Sequence, residues 1–408
     1  MDAEHSQNYA ELTVDRALVR SIMRHAGNPR ISVRLWNGDE FWVTEAPPVA
    51  CLEFRNRRAI LKLLTSPATG FGECYSQGLI EVHGDFLAFA NEATSAFTNR
   101  AHGNYYIDRL GSMLLSLRQN SLYRSKHNVQ KHYDLGNEFY RMWLDERMVY
   151  TCAYYNTPSA SLAEAQVAKL DHVCRKLNLQ PGQDVIEAGC GWGALALHMA
   201  EFYGVKVSAY NISEPQLAWA REQATVRNLG DRVHFVQDDY RNINQSCDRF
   251  VSVGMLEHVG RANYQTLGHV VDRCLKPEGL ALIHSIGRSH PRKTDAWIRK
   301  YIFPGGHIPS LGEMSAVFEP SRFSVLDIEN LRLHYARTCA AWLANFEAVA
   351  DQVSDRYSEE FVRTWRLYLA GSSAGFKSGT LQLFQVLFAR GSNNSVPLTR
   401  EYQYSGPC

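Results

Sequence analysis

The sequence has no excess of charge of one sign: 43 Lys and Arg stand against 42 Asp and Glu, a formal net charge of +1 over 408 residues. That balance excludes a chain built for wholesale nucleic-acid binding, so any anionic surface must be met locally. The chain has no Cys-x-x-Cys pair, and its nine cysteines (Cys51, Cys74, Cys152, Cys174, Cys190, Cys247, Cys274, Cys339 and Cys408) are odd in number and scattered. A disulfide framework is therefore not expected, and a reducing compartment fits. No stretch approaches the length of a membrane span, and the opening MDAEHSQNYAELTVDRALVR mixes acids with polar residues and holds no apolar targeting run. The expected location is cytoplasmic, at most peripheral to the inner face of a membrane. Internal repeats and low-complexity tracts are also lacking, and no His, Cys, Asp and Glu cluster has metal-ligand spacing, so neither a solenoid nor a metal site is expected.

What is present is an ordinary globular composition, 45% hydrophobic and 21% charged, in a chain too long for one hydrophobic core. Between Ile31 and Val82 the alternating run ISVRLW, the turn Asn37-Gly38-Asp39, FWVTE and GLIEV read as strands, with a helix over Arg57 to Leu64 and a longer one around Asp108 to Leu117. This predicts a small α+β domain over 1–121. From Ser161 onward strands alternate with helices. Ser161-x-x-Glu164 forms a capping box, Leu170, Val173, Cys174 and Leu177 share one helix face, and Pro181-Gly182 ends the segment. The strands Asp184 to Ala188, VKVSAY, VHFV, RFVSVGM and GLALIHSI follow, each pair separated by a helix or turn. Such order implies a doubly wound, mostly parallel sheet covered on both faces, in a second domain over 122–408.

The turn Glu187-Ala-Gly189-Cys-Gly191-Trp-Gly193 lies just after a strand and just before a helix, where glycines permit close approach of a ligand. A nicotinamide site would use a similar turn. Three features favour S-adenosylmethionine: the third-glycine spacing of G-x-G-x-x-G is absent, Glu187 stands where it can hold a zwitterionic methionine moiety, and Asp238-Asp239 follows the third strand near an adenine edge. Asn211, Ser213 and Gln216 after the second strand are placed for the ribose, although Ser213 also fits a helix cap.

Ligands in open α/β sheets bind beyond the carboxyl ends of the strands, which singles out Glu257-His258 after VSVGML and His284 in LALIHSI. Upstream, Tyr150-Thr151-Cys152-Ala153-Tyr154 is unusually aromatic for a loop. Each residue has a plain structural alternative: a core histidine, a small buried thiol, a helix N-terminal acid.

Taken in order, NVQKHYDLGNEFYRMWLDERMVYTCAYY, EAGCGWG, SVGMLEHVG, LKPEGLALIHSIG, KYIFPGGHIPS and LRLHYARTCAAW resemble cyclopropane-fatty-acyl-phospholipid synthases and the related mycolic acid cyclopropane synthases, over roughly Leu122 to Arg390. The block GFGECYSQGLIEVHGD resembles the lipid-associating extension of the branch that acts on phospholipids. The resemblance implies a class I methyltransferase-like fold and cofactor contacts at Tyr150, Thr151, Gly189, Asn211, Ser213, Gln216 and Asp239. The chain departs from the family in having Asn211-Ile212-Ser213 where Thr-Leu-Ser is usual. It further implies a bicarbonate pocket at Cys152, Glu257, His284, Ile286 and Tyr335, and transfer of a methylene group from S-adenosylmethionine to the double bond of an unsaturated acyl chain. Tyr154 and Tyr264 are candidates for stabilising a cation through their rings.

Between Gly287 and Pro304 the bases Arg288, Arg292, Lys293, Arg299 and Lys300 accompany one acid, Asp295, and the rings Trp297, Tyr301 and Phe303, a combination suited to a lipid headgroup layer or to a solvated helix. Arg55, Arg57, Arg58 and Lys62 form a weaker basic cluster. The expected partners are a phospholipid bilayer with unsaturated acyl chains and, by self-association, a second copy of the chain. Plain methylation of a small molecule or alkene is the rival chemistry, and a lipid-binding protein with an inactive transferase fold is the rival without chemistry.

Overall fold

A computed structural model describes residues 2–100 and 135–404. The alternating run after Pro29 forms β1 (Ile31–Leu35), and Asn37-Gly38-Asp39 turns it into the short antiparallel β2 (Glu40–Phe41). The turn works because Gly38 takes φ +88° and Asn37 Oδ1 accepts the Asp39 amide at 3.2 Å. Of the expected strand FWVTE only Phe41 pairs, and Pro47 and Pro48 beyond it have no amide hydrogen to give a ladder. A parallel β3 (Ala50–Phe54) and an antiparallel β4 (Ile80–Gly84) complete a four-stranded sheet of order β2-β1-β3-β4. Val33, Leu35, Leu52, Phe54 and Ile80 form its core with Ile60 of the helix Arg57–Thr65 and Phe89 of the helix Phe86–Arg100.

The chain divides into two compact units, and the first is discontinuous: Asp295–Ile302 and Cys339–Thr380 cluster with Met1–Asn104. An amino-terminal domain over 1–121 misses these later segments. The reason is legible in the helix Glu359–Ser378, whose Arg363 donates to the carbonyls of Tyr75 at 2.6 Å and Ile80 at 2.8 Å and to Glu81 at 2.9 Å. The boundary at 121/122 and the helix expected near Asp108 to Leu117 lie outside the described residues.

In the second unit β5 (Asp184–Ala188), β6 (Lys206–Asn211), β7 (Val233–Gln237), β8 (Cys247–Val253) and β9 (Leu275–Gly287) are mutually parallel. β10 (Phe323–Asn330) and β11 (Gln382–Arg390) extend the sheet, β11 running antiparallel to both neighbours, to give the order β10-β11-β9-β8-β5-β6-β7. Helices cover both faces. One apolar layer joins Val185 and Val207 to the helices Leu162–Lys176 and Ala194–Tyr203, and the other joins Ile186 and Phe250 to the helix Tyr264–Cys274. Both the doubly wound fold and the Ser161–Glu164 capping box are as expected. The order reverses between β5 and β8, which opens a crevice at their carboxyl ends.

Candidate active site

The glycine turn sits in that crevice. Gly189 and Cys190 donate to the Tyr210 carbonyl at 2.9 and 3.0 Å, tying the turn to β6. Its glycines do different work. Gly193, with φ +83°, is a packing position, because a Cβ there would meet Phe235 at 2.8 Å and Ala220 at 2.9 Å. Gly191, with φ +54°, faces open space: a Cβ would meet nothing within 4 Å. A Cβ on Gly189 would touch Met255 at 3.0 Å. Glu187, at the end of β5, is buried with Oε2 lacking a hydrogen-bond partner, and burial pushes its carboxyl up to about 7. An open backbone cradle beside an unsatisfied buried carboxylate suits a ligand with a cationic end, as S-adenosylmethionine has.

After β6, Asn211 organises the next loop. Its amide donates to the Gly191 carbonyl at 3.1 Å and to Gln216 Oε1 at 2.8 Å, while its Oδ1 accepts the amides of Ile212 and Ser213. Asn211 thus braces the glycine turn. Ser213 starts the helix Glu214–Val226 without a side-chain capping bond. Asp239 is clamped by the Arg241 guanidinium at 2.7 and 2.8 Å.

The aromatic loop is held from two sides. Tyr150 packs on Tyr140 and Trp143 with centroids 5.3 and 5.5 Å apart, and the Thr151 hydroxyl accepts from Lys169 Nζ at 3.1 Å. Cys152 is fully buried, its thiol 3.2 Å from the Ala153 carbonyl and 3.9 Å from that of Leu331. Tyr154 lies stacked between His172 and His334, with centroids at 4.2 and 4.8 Å.

Backbone hydrogen bonds and strand pairing connect the segments that carry the expected chemistry residues. Glu257, in the short helix Leu256–Val259 after β8, accepts the Ile286 amide on Oε1 at 2.6 Å. Ile286 pairs with Leu383, whose carbonyl accepts the Leu331 amide at 2.9 Å; Leu331 in turn meets Cys152 and accepts the Tyr335 amide at 3.1 Å. His284, two residues before Ile286 on β9, has its Nδ1 3.1 Å from the Gln385 amide nitrogen of β11. A side-chain amide nitrogen only donates, so the neutral ring carries its proton on Nε2. Burial drives the imidazolium pKa well below its usual value and lifts the Glu257 carboxyl to about 7. Glu257 Oε2 and His284 Nε2 are both buried without a hydrogen-bond partner. Neighbouring His258 is half-buried, and desolvation lowers its pKa to about 4.

Several participants escaped the sequence reading. Gln385, Gln166 and Lys169 are buried polar residues, and Asn137 bridges the glycine turn and the helix after β6, accepting from Trp192 Nε1 at 2.9 Å and donating to the Pro215 carbonyl at 3.0 Å. Asn137 lies within the motif LGNEFY; Gln166 and Lys169 were readable only as an i, i+3 pair on a helix edge. Tyr264, the first residue of the helix Tyr264–Cys274, is fully buried.

The basic aromatic segment is more occupied than its composition suggests. Arg288 is buried and donates to the Lys293 carbonyl at 2.9 Å. In the first unit Trp297 lies against Gly72, where a Cβ would fall 2.3 Å from Nε1, and Lys300 and Tyr301 bind Glu73 at 2.8 and 3.0 Å. Lys293 remains exposed. Arg55, Arg57 and Lys62 pair with Glu81, Asp15 and Glu73. Among the described residues no group of three or more His, Cys, Asp and Glu could hold a metal ion, and no disulfide joins the cysteines.

Comparison with known proteins gives concordant results. Residues 120–386 match the family described as mycolic acid cyclopropane synthetase. The chain is 38% identical over 355 residues to the cyclopropane-fatty-acyl-phospholipid synthase of Escherichia coli (strain K12), covering 86% of this chain and 91% of that protein. It is 33% identical over 390 residues to a probable fatty acid methyltransferase of Pseudomonas putida, covering 92% and 96%. The crystal structure of mycolic acid cyclopropane synthase CmaA1 complexed with SAH and CTAB matches with a TM-score of 0.61 at 31% identity, over 64% of this chain and 97% of that one.

Proposed function

This chain belongs to the mycolic acid cyclopropane synthetase family of S-adenosylmethionine-dependent methyltransferases, and on that premise we propose that it converts the double bond of an unsaturated fatty acyl chain of a phospholipid into a cyclopropane ring. When bound, S-adenosylmethionine supplies an electrophilic methyl group on a sulfonium. The residues that would hold it are Glu187, Gly189, Gly191 and Gly193 of the turn, with Tyr150, Thr151, Asn211, Ser213, Gln216 and Asp239 around it.

The observation that carries the reading is the pair of buried, unpartnered atoms, Glu257 Oε2 and His284 Nε2, at the carboxyl ends of β8 and β9. An alkene that takes up a methyl carbon leaves positive charge on an apolar chain, and ring closure then requires loss of one proton from that methyl. A small anion answers both needs. In our reading the pocket is for bicarbonate: the Nε2–H of His284 donates to it, the Tyr335 hydroxyl adds a second donor, and Glu257 orients it, itself fixed by the Ile286 amide. The Ile286 amide serves the anion only through Glu257, because its hydrogen is already given to Oε1. The buried Cys152 shapes the wall.

Acyl chains of this kind lie in bilayers, so we place the protein on the cytoplasmic face of a membrane as a peripheral enzyme. No helix among the described residues is long and apolar enough to cross a membrane. The test is incubation of the purified protein with S-adenosylmethionine and vesicles of a monounsaturated phospholipid, followed by fatty-acid analysis. We expect acyl chains that gain one carbon and two hydrogens and resist hydrogenation. Unaltered lipid, with the methyl group found on a small amine or alcohol instead, would refute the substrate class.

A further inference from the structure

The helix Leu162–Lys176 buries a lysine against the candidate site. Lys169 is 2% exposed, and an ammonium taken out of water is costly unless it is paired and hydrogen-bonded. Its Nζ donates to Thr151 Oγ1 at 3.1 Å. One turn earlier Gln166 donates to the carbonyls of Thr151 at 2.9 Å and Val149 at 3.4 Å. One face of a single helix therefore holds the backbone and side chain of the loop that carries Tyr150, Thr151 and Cys152. The acids around Lys169 differ in how well they are satisfied. Asp145 accepts the amides of Val149 at 3.0 Å and Arg147 at 3.2 Å, whereas Glu187 keeps a buried Oε2 with no partner.

We propose that Lys169 is a positioning residue for the cofactor, fixing the Thr151 hydroxyl and holding Glu187 as a carboxylate ready for the cationic end of S-adenosylmethionine. The inference rests on the functional reading above and adds to it a residue that touches neither cofactor nor substrate. Burial raises the Glu187 carboxyl to about 7, and Lys169 is the foremost influence drawing it back; burial lowers the Lys169 ammonium to about 8, against the pull of Asp145, Cys152 and Glu187. The other ionisable groups acting near Glu187 are Cys174 of the same helix and Cys190 of the glycine turn, both held as thiols by burial, while β6 and β8 place Ala209 and Val251 beside it. His284, which also senses Lys169, is kept neutral.

The experiment is titration calorimetry of the full chain with S-adenosylmethionine across neutral pH, in buffers of different ionisation enthalpy, which reports both affinity and protons released on binding. Lys169→Met keeps the side-chain length and removes the charge. At about pH 7 we expect its affinity to be several-fold weaker, because Glu187 is then protonated in most molecules before binding, and its proton release to rise towards one per cofactor. Lys169→Gln carries the same expectation should the methionine variant fold poorly. Lys169→Arg should recover part of the affinity, and Glu187→Gln should abolish the proton release in either background. Wild-type affinity and proton release in a folded Lys169→Met or Lys169→Gln would overturn the role of Lys169 alone. A wild-type chain that binds no S-adenosylmethionine would overturn the functional reading, and with it this inference.

Discussion

At the scale of single residues, Glu257 and His284 are prepared by burial for opposite protonation behaviour. The carboxyl of Glu257, raised to about 7 by desolvation, is ionised above that pH and protonated below it, while His284 stays neutral because its pKa is driven far down. If the carboxylate orients the anion, turnover at saturating S-adenosylmethionine and a fixed bicarbonate concentration should fall as pH drops through about 7, with no separate histidine limb, and Glu257→Gln should lack this fall. Glu257→Gln and His284→Ala should each bind S-adenosylmethionine with near-native affinity yet lose about 10²–10⁴-fold in turnover, the usual range for a group that helps move a proton. Calorimetry beside a rate assay measures both. Normal turnover in both variants would remove these residues from the chemistry. Glu257 and His284 were legible because they stand at strand ends inside recognisable motifs. Gln385 was not, since it lies 101 residues beyond His284 and meets it only through the pairing of β11 with β9. Lys169 was hidden for another reason: a lysine beside Leu170 on an amphipathic helix ordinarily reaches solvent, and only tertiary packing closes over it.

At the scale of elements, the strand-turn-helix unit around Glu187 contains glycines that look alike in sequence and differ in space. Gly193→Ala should destabilise the fold by about 1–3 kcal/mol, since its Cβ would overlap Phe235 and Ala220 in a left-handed backbone conformation. Gly191→Val has no neighbour for its Cβ to strike, so only the strain of a branched side chain at φ +54° lowers its melting temperature, while cofactor binding is lost. Paired thermal denaturation and binding measurements separate the two, and native affinity in a folded Gly191→Val would show that the cofactor does not approach there. Strand β5, the glycine turn and the parallel strands were readable because hydrophobic runs, glycines and caps agree with one another. The short β2, by contrast, was overestimated: Phe41 is buried but Trp42 is 49% exposed, so alternation continued in sequence after pairing had ended. β10 escaped notice because its outward residues Val325 and Ile328 are apolar and exposed, which blurs the expected period of two.

At the scale of the whole molecule, the division into units is set by long-range contacts that local pattern does not encode. The helix Glu359–Ser378 falls in sequence within the domain expected over 122–408, yet Arg363 commits it to the carbonyls of Tyr75 and Ile80. The catalytic unit, by comparison, keeps its motifs in chain order along the carboxyl ends of its strands, which is why its fold and family could be read before any coordinate was known. The central claim is that this unit closes a ring on an acyl chain. Direct capture of the methylated cation by a hydride would keep every hydrogen of the incoming methyl group, whereas ring closure removes one; an exocyclic methylene also loses one but lacks cyclopropane proton signals. The decisive measurement is therefore an isotope count, with a trideuterated methyl donor and a monounsaturated phospholipid as substrates. We expect an acyl product that retains two deuterons and shows the high-field proton signals of a cyclopropane; retention of all three deuterons on the acyl chain would contradict the claim.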